Sequence, residues 1–301
     1  MRYKNLRYSC NVIGFAVLMF LAIKEFVSLL LMAFSVERGT APYLLINIAA
    51  FIVSCIMPVI TMENMLGLHP KLFRRTNTAV TAACGVYSYL IILIAGFINS
   101  LFLAALRLAG LDFAPRTIAI PDGAVSVVLY FIHICVLPPL LEEIFVRGYI
   151  LNALKPVGTT FAVIVSSAVF SLMHSSLENF FLYFVCGIIL AKVYLTFDSI
   201  FPGMLVHFIN NTMSFFILYF QQRVNAVSAL SMIAYINIFI LILGFVGKKH
   251  LDKCGFKFKK VLGRDKAMGE KLGCIFKSPV AVTALAMLVF FAAYQSFHSL
   301  V

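Results

Sequence analysis

The chain has 301 residues, of which 62% are hydrophobic and only 12% charged, with a mean hydropathy of +1.00. An ordinary soluble domain carries about a quarter charged residues, so these values exclude a soluble globular enzyme, a disordered tail and a fibrous repeat and imply a chain whose solvent is mostly lipid. The net charge of +12 would suggest nucleic acid in a soluble protein, but no basic-aromatic face or zinc spacing supports that partner here, and none is expected.

In chain order, the sequence predicts about nine apolar segments able to cross a bilayer of ~30 Å, near 11–36, 41–62, 79–106, 124–152, 159–177, 180–197, 200–220, 228–246 and 279–298. The expected fold is therefore all-α and polytopic, with eight spans the alternative count. The first run follows Arg2, Lys4 and Arg7 with no small-residue cleavage site, and reads as a retained span. Lys24 and Glu25 interrupt it as an adjacent pair to which no role is given. Basic residues concentrate in alternate connections: 1–8, then Lys71, Arg74 and Arg75, then Arg147 and Lys155, then ten between Lys248 and Lys277. The other connections hold Arg38, Arg116 and Arg223. That alternation predicts a cytoplasmic N-terminus and an outer C-terminus, in a bacterial plasma membrane. Residues 247–278 form the one long polar loop, a basic connector expected to lie against anionic lipid. With no repeat and no soluble domain, residues 1–301 read as a single transmembrane domain. The seven cysteines are odd in number and form no C-x-x-C, so they read as small buried side chains rather than disulfides or metal ligands.

Charges inside apolar runs are expensive and mark function by default. The first cluster is Pro138-Pro139-Leu-Leu-Glu142-Glu143-Ile-Phe-Val-Arg147. Two prolines remove two backbone donors, which a membrane helix tolerates beside a cavity. On a helix Glu143 and Arg147 are i,i+4 with the acid first, the favourable order for an ion pair. Glu142 points about 100° away and stays free. Adjacent acids in a dry site cannot both ionise cheaply, which suits one of them to act as a general base. The second cluster is Phe170-x-x-x-His174, and the third is His207-Phe-Ile-Asn210-Asn211. His207 and Asn211 share one helix face and can present an imidazole and an amide to one point, as an oxyanion site needs. The second also reads as a satisfied core histidine, and the third as an ordinary helix–helix hydrogen bond. His69 and His250 lie in polar loops, and His298 is near the C-terminus. His133 is set aside because roughly 14 Å of helix separates it from Glu142. Counting inward from the cytoplasmic ends puts Glu142 about 15 Å deep, His174 about 22 Å and His207 about 10 Å. The third motif joins the first two only if proline breaks and helix tilt close that gap.

Glu142-Glu143-x-x-x-Arg147, Phe170-x-x-x-His174 and His207-x-x-x-Asn211, in that order on successive spans, resemble the three motifs of the CAAX protease and bacteriocin-processing family of intramembrane proteases, also called the Abi family. The resemblance covers a core of roughly 124–220. Val146 departs from the Phe often found before the arginine, with Phe145 one place earlier, and Gly148 fits. The resemblance implies an endopeptidase acting on prenylated or otherwise membrane-associated peptides. It implies that Glu142 and His174 hold and activate water, that His207 and Asn211 stabilise the oxyanion, and that Glu143 and Arg147 form a supporting pair. Glu142, His174 and His207 are also a legitimate zinc set. The family is commonly labelled a metalloprotease, a metal-free glutamate mechanism is attributed to members too, and without an H-E-x-x-H both routes stay open. Two alternatives are a non-catalytic scaffold, such as a bacteriocin-immunity or regulatory partner of another protein, and a transporter using the glutamates as a proton relay. The latter predicts inverted repeats, and none is visible.

Overall fold

The computed structural model describes residues 2–110 and 119–298; Arg116 lies outside them. The described residues form helices with no strand: α1 (Arg2–Ala33), α2 (Ala41–Leu66), α3 (Thr78–Leu108), a composite α4 (Ala124–Val157), α5 (Thr159–Met173), α6 (Phe180–Phe197), α7 (Phe201–Arg223), α8 (Ala226–Lys253), α9 (Met268–Phe276) and α10 (Pro279–His298). Eight of them are long and apolar enough to cross a membrane. The chain is an all-α, multi-pass integral membrane protein.

The ninth expected segment is α5, whose 15 residues rise only about 22 Å. It nevertheless joins the two ends of the bundle. At its start Thr160 bonds the loop after α8, through Val261 O at 3.4 Å and Gly263 N at 3.2 Å. Beyond its end, Glu178 accepts from Ser296 of α10 at 2.6 Å. A short crossing is possible because protein, not lipid, surrounds it: Phe161, Ala162, Val163, Ser166, Ser167 and Phe170 are all buried.

Connections cluster at two ends. At the basic end Arg7 donates to Lys277 O at 2.7 Å, Ile200 N donates to Leu72 O at 2.9 Å, and Arg74 pairs with Asp198 at 2.8 Å. At the opposite end Arg223 pairs with Asp122 at 2.6 Å and Ile120 N donates to Gln222 at 2.8 Å. Of the 247–278 loop, residues to 253 continue α8, and α9 packs on α1 through the loop's second half. There Lys271 pairs with Asp265 at 2.6 Å, with both side chains largely covered.

Small residues permit the helix crossings, as they do wherever lipid gives no hydrophobic drive between helices. A Cβ on Gly14 of α1 would stand 2.7 Å from the backbone of Ala281 in α10, and one on Gly187 of α6 would stand 2.8 Å from the Ser167 side chain of α5. Gly14→Val is therefore expected to separate α1 from α10 and destabilise by roughly 1–3 kcal/mol, read as a lowered melting temperature in detergent. Gly273→Ala, where nothing lies within 4 Å, is expected to leave that temperature unchanged. The Lys271 ammonium, followed by the Ala267 N–H, holds the Asp265 carboxyl below its ordinary value near 3.8. A carboxyl lowered in the folded state stabilises fully above its unfolded value, and that stability is lost as pH falls through the folded one. Limited proteolysis between 255 and 276 is thus expected to be slow at neutral pH and to speed up only below about pH 4.

Candidate active site

α4 carries the site because it is not a regular helix. Residues Ile132–Val136 and Glu143–Leu151 are wound in the wider π pattern, flanking a short α-helical turn, Leu137–Glu142, with Pro138 and Pro139 in its first turn. Such widened turns recur at functional sites. Pro138 has no N–H, so the carbonyl of Ile134 loses its helical donor. Asn211 of α7 supplies the replacement, Nδ2 to Ile134 O at 2.9 Å, and its Oδ1 accepts from Asn210 Nδ2 at 3.1 Å. One amide N–H of Asn211 thus ties α7 to the proline break, and the second is not used by either bond.

Below the break sits a buried charge cluster. Arg147 Nη1 donates to Glu143 Oε1 at 2.9 Å, with both residues at 0% exposure. Its Nη2 donates to Gly187 O at 3.2 Å, and its guanidinium lies 4.3 Å from the Phe170 ring centroid. His207 Nδ1 meets the same Glu143 Oε1 at 3.3 Å. Pro202 and Gly203 bring the start of α7 this close: a Cβ on Gly203 would stand 3.2 Å from Glu143 Oε2.

Glu142 faces the other way. Its Oε2 has no hydrogen-bond partner among the described residues, and His207 Nε2 lies 4.0 Å from it. The unequal inward counts made from the sequence are thus overcome: His207 stands beside Glu142, next to the π-wound turns of α4. His174 follows the last turn of α5, where its backbone N–H bonds Ser171 O rather than Phe170 O. The freed Phe170 carbonyl takes the ring instead, Nδ1 to O at 2.8 Å. A carbonyl only accepts, so Nδ1 carries the proton and the neutral ring keeps its lone pair on Nε2. The ring stacks on Tyr183 with centroids 4.2 Å apart.

Glu142, His174, His207 and Asn211 line one cavity of about 460 Å³. Glu143 and Arg147 lie behind its wall. Two residues that sequence reasoning set aside also line it: Lys24 of α1 and His133 of α4. The signal for Lys24 was its position inside an apolar run. His133 was discounted on helical distance, but the cavity runs along α4 from Tyr130 to Glu142. Its Nδ1 is buried and unpartnered, and its ring stands edge-on to Phe51 at 5.8 Å. The zinc set read from the sequence does not fit this arrangement. Among the described residues no three His, Cys, Asp or Glu side chains are grouped as a metal ion would need.

Residues 124–213 match the Rce1-like family, described as type II CAAX prenyl endopeptidase Rce1-like. Over this segment, less than a third of its length, the chain is similar to that family. The segment starts at α4, ends two residues beyond Asn211, and contains every motif residue named above. The chain is also similar to a Bacillus subtilis (strain 168) protein named "Putative membrane peptidase YdiL", with 33% identity over 98 residues. That stretch is 32% of this chain and 40% of the relative, so the match spans less than half of the curated protein's length. No solved structure matches the chain.

Removing one partner of a buried ion pair leaves an uncompensated charge, at a cost of about 3–5 kcal/mol. Arg147→Ala is expected to lower the detergent melting temperature strongly. Arg147→Ala combined with Glu143→Leu is expected to recover much of it, a non-additivity that a double-mutant cycle measures.

Proposed function

We propose that the chain is an intramembrane endopeptidase that hydrolyses peptide bonds of membrane-embedded or lipidated peptides through a glutamate-activated water. The observation that carries this reading is the pair of unclaimed acceptors, Glu142 Oε2 and His174 Nε2, lining the same cavity. A water bridging them would be held by the histidine lone pair and deprotonated by the carboxylate as its oxygen attacks the scissile carbonyl. The oxyanion of the tetrahedral intermediate would receive the second N–H of Asn211 and Nε2–H of His207. His207 can donate from both nitrogens only as the imidazolium, so this role requires that form. Glu142 then returns its proton to the leaving amine, the C–N bond breaks, and a carboxylic acid and an amine result, the acid's proton passing to the amine to give carboxylate and ammonium. Glu143 and Arg147 position His207 and neutralise each other. No step is routed through a metal, because the residues do not group as a metal set.

The family segment supports the same reading, as does the name of the Bacillus subtilis relative. We further propose that the basic end faces the cytoplasm and that the 247–278 loop lies on anionic lipid, since basic residues gather there.

The test is cleavage of a membrane peptide by purified protein in nanodiscs. Glu142→Gln and His174→Ala are each expected to lower kcat by about 10²- to 10⁴-fold, and Asn211→Ala by about 10²- to 10³-fold, with folding checked by melting temperature. Cleavage unchanged in both of the first two variants would end the mechanism. Activity that tracks zinc content and vanishes with a chelator would replace the metal-free route with a metal-assisted one.

A further inference from the structure

Lys24 is the cation that the mechanism leaves over. It sits in the apolar run of α1, where a charge is costly. Its side chain is exposed to the cavity, and among the described residues it makes no hydrogen bond and no ion pair. Glu142 is the one acid lining that cavity and stands beyond ion-pair distance of Lys24. Glu25, adjacent in sequence, points about 100° away around the helix. Arg147, by contrast, bonds Glu143 and Gly187.

The cavity's direction adds a second observation. On α4 the other lining residues, from Tyr130 to Pro138, lie farther from the basic end than Glu142 does. On α7 those from Asn210 to Leu218 lie farther than His207. On the basic side of Glu142, Phe145, Val146 and Ile150 are fully buried. The cavity therefore runs from the catalytic candidates toward the end opposite the basic loops, with Lys24 in its wall on that course. An ammonium offers three donors and no acceptor, and in a low-dielectric cavity it calls for an anion. A peptide carries that anion as a carboxylate.

Resting on the peptidase reading above, we propose that Lys24 binds a carboxylate of the peptide substrate and so selects peptides that carry one near the scissile bond. The carboxylate comes either from the chain's C-terminus or from an Asp or Glu side chain, and the same chemistry serves both.

The experiment uses the full chain in nanodiscs and three peptides of one sequence: a C-terminal free acid, its C-terminal amide, and the amide with a Glu introduced near the C-terminus. For the wild-type protein, kcat/KM is expected to favour at least one carboxylate-bearing peptide over the plain amide by about tenfold or more. Whether the free acid or the Glu peptide is favoured identifies the source. Lys24→Gln is expected to bring that ratio close to one, and Lys24→Arg to keep it. The same peptides are also titrated against Glu142→Gln protein with Lys24 intact or replaced by Gln, a binding readout independent of turnover. If nothing is cleaved, the peptidase reading fails, and the binding ratio alone decides the Lys24 assignment. A wild-type ratio near one in both binding and cleavage, or a ratio that survives Lys24→Gln, overturns the proposal. Should Lys24→Gln fail to fold, Lys24→Met, which keeps the stem and removes the charge, takes its place, and a carboxylate preference that survives Lys24→Met overturns the proposal.

Discussion

Everything near the site depends on a charge that has no water to solvate it. Glu143 and Arg147 lie at 0% exposure in a protein whose outer solvent is hydrocarbon. An isolated ion there would be untenable. The pair solves this with one direct bond and then recruits its surroundings: the Gly187 carbonyl, the Phe170 ring and the His207 imidazole. Each recruit fixes a different helix. Gly187 belongs to α6, Phe170 to α5 and His207 to α7, so one ion pair on α4 sets the relative positions of the three elements that face it. The close approaches at Gly187 and Gly203 follow from the same requirement, because a side chain at either would push its helix off the cluster.

The proline break imposes the second constraint. In water a carbonyl freed by Pro138 would find a solvent donor. In lipid it must find one within the protein, and Asn211 provides it. Asn211 therefore has a structural bond whatever its part in chemistry, and that bond aims the rest of its amide. The widened winding on either side of the break enlarges the circumference of α4 where the cavity forms. Together, the ion pair and the break bring together the residues that line one wall of the cavity.

These constraints explain which parts of the molecule were legible in the sequence. Hydropathy gave the all-α, polytopic class because a lipid solvent forces every backbone group into a helix. The Glu143–Arg147 pairing was legible because i,i+4 spacing is a local property. The meeting of His207 with Glu142 was not, since it depends on tilt and π-winding that residue counting along straight helices cannot carry. The same limit hid His133, judged by its distance along an ideal helix. Lys24 was visible as an anomaly in α1, but the cavity it lines is built from seven helices, α1 to α7, and no local pattern connects them. The short helix α5 falls below a length criterion for a different reason: the criterion assumes lipid on all sides, whereas α5 is packed among protein.

His207 is where support and chemistry meet. Its Nδ1 belongs to the buried pair through Glu143, and its Nε2 faces Glu142 across 4.0 Å. An imidazole held between two carboxylates transmits the state of one to the other. If Arg147 ceased to neutralise Glu143, Glu143 would draw His207 more strongly, and the ring's orientation toward the cavity would change with it. The buried pair and the cavity-lining Glu142 are thus not independent parts. The two adjacent glutamates differ in surroundings: Oε1 of Glu143 is claimed by both Arg147 and His207 behind the wall, whereas Glu142 lines the cavity itself.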